Sequence, residues 1–337
     1  ELKRLGDEVE VISLPSHSYP RHLLDNFSQE LLTRITAVPF DVLLQDELNH
    51  PSLFLINRRL KRLVPTLLVA IVHHLRSSEV SRLNWFYRLI EGSYLKTLDG
   101  AIYNSPSTKE SVESFRQLPG LVALPGGDHL TPDITVAMIN RRSHQPGPLN
   151  VLFIGNIIPR KGLETLLKAL ARLPRENYSL TIAGDLETNI HYSQKIVQLS
   201  GVLGIEGNTT FLGYCSSHEL STLIKNGHLL VVPSQYEGFG IVYLEAMGFG
   251  IPPVASAAGG AGYLIRHGNN GFLLQTGDVQ GLTDILQSVY RDRELLARLS
   301  LAAYHTYKDH PTWSCSGKSV RNFLRELQAD TALSQTL

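Results

Sequence analysis

Two short stretches of this chain combine residue types that could grip an anion with hydroxyl groups beside it. The first reads Pro233-Ser234-Gln235-Tyr236-Glu237-Gly238-Phe239-Gly240-Ile241-Val242-Tyr243-Leu244-Glu245-Ala246-Met247-Gly248. The apolar run 229–232 before it reads as a strand, so a Gly-rich loop leads from a strand into a helix. Such a junction aims free backbone N–H groups and the positive helix end at an anion. Glu237 lies in the loop, and Glu245 lies about one and a half turns into the helix. Carboxylates cannot sit on a phosphate, so these two flank it and accept hydrogen bonds from hydroxyls. A nucleotide diphosphate sugar has that layout, with ribose at one end, sugar at the other and diphosphate between. An isolated pair of glutamates would be a helix cap and a solvated face. The Gly-Phe-Gly between them and the strand before them favour the ligand reading.

The second stretch reads Val151-Leu152-Phe153-Ile154-Gly155-Asn156-Ile157-Ile158-Pro159-Arg160-Lys161-Gly162-Leu163. A strand ends in glycine, and a short loop delivers Arg160 and Lys161 to a helix start. Cations there are unfavourable unless an anion is shared. A diphosphate would make the placement favourable, with Lys as a point charge and Arg as a fork. A solvated basic turn is the plainer alternative.

Alternating elements must position these loops. Strand candidates fall at 9–14, 42–44, 67–72, 101–103 and 121–124, then at 151–154, 180–183, 210–212, 229–232, 254–255 and 272–274. Helical spacing fills the gaps, as in Leu163, Leu166, Leu167, Leu170 and Leu173. This is parallel α/β architecture. The Pro/Gly/polar segment 131–150 reads as a linker between two doubly wound domains facing a cleft. The 337 residues suit two domains, and 31 basic against 31 acidic side chains disfavour a nucleic-acid partner. Two cysteines exclude a disulfide framework and suit a cytoplasmic setting. The most apolar run, 63–72, is too short to span a bilayer.

The second half resembles the donor domain of the retaining glycosyltransferases of family four, which have the GT-B fold. The resemblance rests on Ile154-Gly155 with Lys161-Gly162, Ile182-Ala183-Gly184, Phe211-Leu212-Gly213 and the Glu-x7-Glu element ending in Glu245-Ala246-Met247. Pro252-Pro253-Val254-Ala255-Ser256 and Gly268-Asn269-Asn270-Gly271-Phe272 complete it. It implies that Lys161, helped by Arg160, holds the diphosphate, and that Glu237 contacts the transferred sugar. It also implies that the Gly238 loop, with the amides of Phe239, Gly240 and Ile241, binds phosphate and sugar. Glu245 would bind the ribose, and the loop after Gly213 would flank the base. Many relatives carry Arg where this chain has Asn156, which moves the phosphate charge onto Arg160 and Lys161.

The first half resembles the acceptor domain more loosely, through Asn104-Ser105-Pro106-Ser107-Thr108-Lys109 and Leu124-Pro125-Gly126-Gly127-Asp128. Ala70-Ile71-Val72-His73-His74-Leu75 resembles the strand whose terminal His faces the donor sugar, His73 matching better than His74. The family's first strand and its Gly-rich loop have no counterpart, and residues 2–6 read as the end of the helix that follows them. The expected division is 1–140 acceptor-side, 148–305 donor, and 306–337 a helix able to cross back to the first domain.

Arg58-Arg59-Leu60-Lys61-Arg62, with Arg76, Arg82, Arg88 and Trp85-Phe86-Tyr87, fits either an anionic-lipid surface or a solvated helix face. Asp46-Glu47-Leu48-Asn49-His50 has metal-ligand residue types or is a strand-end loop. No Asp-x-Asp stands ready for a metal-bound diphosphate, so no metal or cofactor is expected. The expected activity is retaining transfer of a sugar from a nucleotide diphosphate sugar to a sugar, lipid-linked or small-molecule acceptor. The setting is cytoplasmic, with the inner membrane face as an option. The alternatives are an epimerase on the same fold, which would give free epimer from donor alone, and a non-catalytic nucleotide-sugar-binding or scaffold protein. On sequence alone, Glu237→Ala and Lys161→Ala abolish turnover and leave thermal stability nearly intact.

Overall fold

The computed structural model describes residues 1–15, 17–78 and 83–336. It divides into two compact units: residues 1–125 with 311–337, and residues 126–310.

The first unit opens with α1 (Tyr19–Asp25) and α2 (Gln29–Ile35), and continues β1 (Val42–Asp46), α3 (His50–Leu63), β2 (Leu67–Val72), α4 (Asn84–Leu95), β3 (Gly100–Tyr103), α5 (Pro106–Glu113) and β4 (Gly120–Val122). Its four parallel strands lie in chain order β1-β2-β3-β4, so among the described strands the sheet is wound one way only. Period-two alternation on β2 sorts its side chains between two layers. Leu68, Ala70 and Val72 pack with Leu53 of α3 and Tyr94 and Leu95 of α4. Leu67 and Val69 pack with Ile102, Leu324 and Leu327, the last two from a C-terminal helix described below. The expected strand at 9–14 does not form. Ile12 and Leu14 instead pack as an extended segment on α2 and α3, while Val11 stays 77% exposed. Their apolar side chains find cover without a strand partner for the backbone.

The second unit comprises α6 (Val136–Ser143), β5 (Leu149–Ile154), α7 (Leu163–Leu170), β6 (Tyr178–Ala183), α8 (Ile190–Val202), β7 (Thr209–Gly213), α9 (Ser217–Lys225), β8 (Leu229–Val232), α10 (Ile241–Gly248), β9 (Pro253–Ser256), α11 (Ala261–Leu264), β10 (Phe272–Leu274), α12 (Val279–Arg291) and α13 (Arg293–Lys308). Its six parallel strands lie in the order β10-β9-β8-β5-β6-β7. The central β5 and β8 are near-continuous apolar runs, as strands covered on both faces require.

The division falls at Pro125/Gly126, earlier than the expected linker at 131–150. That polar stretch contains α6, whose Ile139, Arg142 and Ser143 are buried. Arg142 is buried because its guanidinium has carbonyl partners. Nη1 donates to Lys225 O at 3.0 Å, and Nη2 donates to Phe249 O and Gly250 O at 2.9 and 2.7 Å. The final helix, α14 (Trp313–Thr336), belongs with the first unit, where Leu324 and Leu327 cover one face of its sheet.

Candidate functional site

The strand order of the second unit reverses between β5 and β8. After β5 the chain moves to β6 and β7 on one side, and after β8 it moves to β9 and β10 on the other. In open parallel sheets, ligands bind outside the carboxyl ends of the strands at such a reversal. The loops singled out from sequence are the two that leave β5 and β8.

These loops are knitted together. Gln235 N–H donates to Arg160 O at 2.7 Å, and Arg160 Nη1 returns a hydrogen bond to Tyr236 O at 2.7 Å. Gly162 ends the turn with φ +72°, and a Cβ there would lie 2.1 Å from Pro233 O. Only glycine permits both the backbone conformation and this close approach. Gly240 (φ +84°) plays the same part at the start of α10, where a Cβ would meet the Tyr243 ring at 2.3 Å. The Tyr243 hydroxyl donates to Val232 O at 2.8 Å, pinning the helix to the strand before it.

The charged centre is Glu237, 8% exposed. Its Oε1 receives Lys161 Nζ at 2.5 Å and the Ser234 hydroxyl at 2.6 Å, with Arg160 Nη1 at 3.8 Å. Burial by itself would raise this carboxyl. Lys161, Ser234 and Arg160 more than offset that and hold it below the ordinary glutamate range. A third loop, after β9, supports the backbone, with Gly260 N–H donating to Glu237 O at 2.7 Å.

Glu245 sits on α10, partly buried and outside the Lys161 ion pair. Burial raises its carboxyl, with His129 as its opposing charge. Phe239 is buried, and its ring lies 5.8 Å from that of His310. Asn156 is exposed at the start of the β5 loop. Gly213 ends the edge strand β7, two strands from β5, and accepts from Gly184 N–H at 2.8 Å. The structure thus brings Arg160, Lys161, Glu237, Gly238, Phe239, Gly240 and Ile241 together and leaves Gly213 farther off. Sequence reading missed Ser234, Tyr243 and Gly260 as supports. A hydroxyl three residues before Glu237 was the available sign.

His73 belongs to the first unit, just beyond β2. Its Nε2 lies 3.4 Å from Asp46 Oδ2 at the end of β1, and both side chains are nearly half exposed. Asp46 raises the imidazole against the opposing effect of partial burial. Of the basic and aromatic cluster, Trp85 is 68% exposed and Tyr87 is buried. Arg59 bonds Gln29, Lys61 pairs with Asp99 at 2.6 Å, and Arg88 stacks on Phe115 at 4.3 Å. Arg82 lies outside the described residues. Among the described residues no group of three or more His, Cys, Asp or Glu could hold a metal ion, and no helix is long and apolar enough to cross a membrane.

The fold and site define an α/β protein with an anion-binding type of loop pair at a strand-order reversal, and comparison with known proteins gives the family. The model for glycosyl transferases group 1 matches residues 138–306, half of the chain, and this protein belongs to that family. A D-inositol 3-phosphate glycosyltransferase of Rhodococcus erythropolis is 31% identical over 163 residues, covering 47% of this chain and 37% of that protein. In three of the curated relatives it matches, the matched segment spans 30% to 37% of the relative's length, about a third. Among solved structures, sucrose-phosphate synthase from Thermosynechococcus elongatus superposes with a TM-score of 0.78 at 21% identity, over 91% of this chain and 79% of that one. Anabaena HepE, solved in complex with UDP and glucose, gives 0.71 at 22% identity, over 93% and 82%. Both likenesses establish the GT-B fold.

Proposed function

We propose that this protein transfers a sugar from a nucleotide diphosphate sugar to a hydroxyl-bearing acceptor, with retention of anomeric configuration. The observation that carries the reading is the meeting of Arg160, Lys161, Glu237 and the start of α10 where the strand order reverses. The UDP and glucose bound by HepE, a protein of the same fold, support a donor of this class.

In this reading the bond from the anomeric carbon to the diphosphate oxygen breaks, and its electron pair leaves with the diphosphate. Arg160, Lys161 and the amides of Phe239, Gly240 and Ile241 stabilise that departing charge. Lys161 and Ser234 fix the Glu237 carboxylate through Oε1, and the carboxylate accepts from a hydroxyl of the transferred sugar. Glu237 is committed to Lys161 as an ionised partner and does not serve as a covalent nucleophile. The acceptor oxygen therefore attacks from the face the diphosphate leaves, and the acceptor proton passes to the leaving phosphate. Glu245 receives the ribose, and the reaction requires no metal. His73, at the end of β2, serves the transfer reaction as the family resemblance implies. The setting is cytoplasmic. The acceptor is a sugar, a lipid-linked or a small-molecule compound, and the exposed Trp85 and Leu89 of α4 favour one at a lipid surface.

The test is thermal unfolding against uridine, guanosine and adenosine diphosphate sugars. One of them at a hundredfold excess over its Kd should stabilise the fold by about 2.7 kcal/mol. No shift with any of them, at any concentration up to the millimolar range, overturns the reading.

A further inference from the structure

The parallel strands β1 and β2 end side by side, with Asp46 paired in register to Ile71. Beyond these ends the chain places Asp46 and Glu47 on one side and His73 and His74 on the other. Asp46 is fixed on both oxygens. Oδ1 accepts from Leu48 N–H at 2.9 Å, and Oδ2 faces His73 Nε2 at 3.4 Å. Glu47 points inward and is 2% exposed. Its Oε2 accepts from His73 N–H at 3.3 Å, with His74 N–H next to it at 3.5 Å. A buried carboxyl spent on the peptide groups of one short turn needs a reason beyond solubility.

We propose that Asp46 and Glu47 are positioning residues for His73, Glu47 holding the backbone of the His73-His74 turn and Asp46 holding the imidazole ring. The two acids divide the work by depth. Asp46, at the surface, orients the ring and favours its protonated form. Glu47, beneath, sets where the ring is anchored. Other groups face Glu47 from every neighbouring element. His50 of α3 has Nδ1 4.0 Å from Glu47 Oε1 and donates from that nitrogen to Glu47 O at 2.8 Å. Tyr94 of α4 feels the Glu47 charge from the core, and His73 and His74 act on Glu47 from the β2 side. His50 is in turn held by the Tyr19 hydroxyl at 3.0 Å and feels Arg76. Burial raises Glu47 to about 7, and the two histidines and their N–H groups only partly counter it. The anchor of the turn therefore changes charge near neutrality. The proposal rests on His73 serving the transfer reaction, so its test separates geometry from activity.

The chain with both units, labelled with 15N, is titrated from about pH 5 to 9 by NMR. At a fixed pH the His73 and His74 amides should exchange with solvent more slowly in the wild type than in Glu47→Leu, and Glu47→Gln, whose amide oxygen still accepts, should restore most of the protection. The His73 imidazole should titrate at lower pH in Asp46→Asn than in the wild type. Turnover of Asp46→Asn with the bound donor should fall about tenfold, with donor KM nearly unchanged. Amides that exchange equally fast in the wild type and Glu47→Leu, or a His73 ring indifferent to Asp46→Asn, overturn the positioning. Unchanged turnover in Asp46→Asn overturns the role in transfer, while donor binding, measured separately, is untouched.

Discussion

Lys161→Met should lower turnover about 10²- to 10³-fold, the loss expected when one fixed donor to a departing anion is removed. It should also destabilise the second unit by about 3–5 kcal/mol, because Glu237 is left buried with its main partner gone. This corrects the expectation that alanine at either position spares stability. That expectation treated the two residues as solvated ligands of a substrate, whereas the structure makes them partners of each other. Pairing Lys161→Met with Glu237→Met removes both charges and should restore most of the stability while turnover stays lost. Denaturant unfolding and turnover of the four proteins form a double-mutant cycle. Additive stability losses would refute the pair. The pH dependence has a definite sign. Glu237 has a depressed carboxyl, so the stability it contributes is present above the ordinary glutamate range and disappears as pH falls through its lowered value.

Arg142→Ala should cost about 3–5 kcal/mol, a fall of roughly 10 °C in the unfolding midpoint of the second unit. The guanidinium spans two helix ends, taking the carbonyl of the last residue of α9 and two carbonyls just past α10. Helix termini leave such carbonyls without internal partners, and a cation there also meets the negative end of the dipole. Burial pulls Arg142 down to about 10, which still leaves it charged at neutral pH. Arg142→Lys should recover less than half of the loss, since an ammonium lacks the planar fork that reaches three carbonyls. Turnover per folded molecule should stay near wild type. Urea unfolding with a loss below about 1 kcal/mol would show that water replaces the fork.

These two residues also mark what sequence can convey. Lys161 was legible because its loop has a local signature: an apolar run, a glycine, a basic pair and a helix. The strands of the second unit were legible for the same reason, since β5 and β8 are apolar on both faces. Arg142 was not, because Arg141-Arg142-Ser143 beside Pro146-Gly147-Pro148 has linker composition. Its burial depends on carbonyls more than 80 residues away. The segment 9–14 failed in the opposite sense. Its apolar residues promised a strand, and packing on α2 and α3 satisfied them without one. Nothing local marks the Lys161–Glu237 pair or its Ser234 support: Lys161 and Glu237 lie 76 residues apart, and they meet only because β5 and β8 are neighbours in the sheet. Asp46 and Glu47 read from sequence only as metal-ligand residue types or a strand-end loop, because their partner His73 is brought beside them by the pairing of β1 with β2.

The place of α14 bears on how the chain is made. Leu67, Val69 and Ile102 present an apolar face that is closed by Leu324 and Leu327. On a ribosome, β4 emerges roughly 190 residues before α14 begins. At about 5–20 residues per second, that face stays bare for about 10–40 s while the whole second unit is synthesised and folds. The first sheet is thus the earlier in sequence and the later to be finished. A chain released before Trp313 should carry a folded second unit and an adhesive first one, which retention of the nascent chain by a holdase chaperone would reveal.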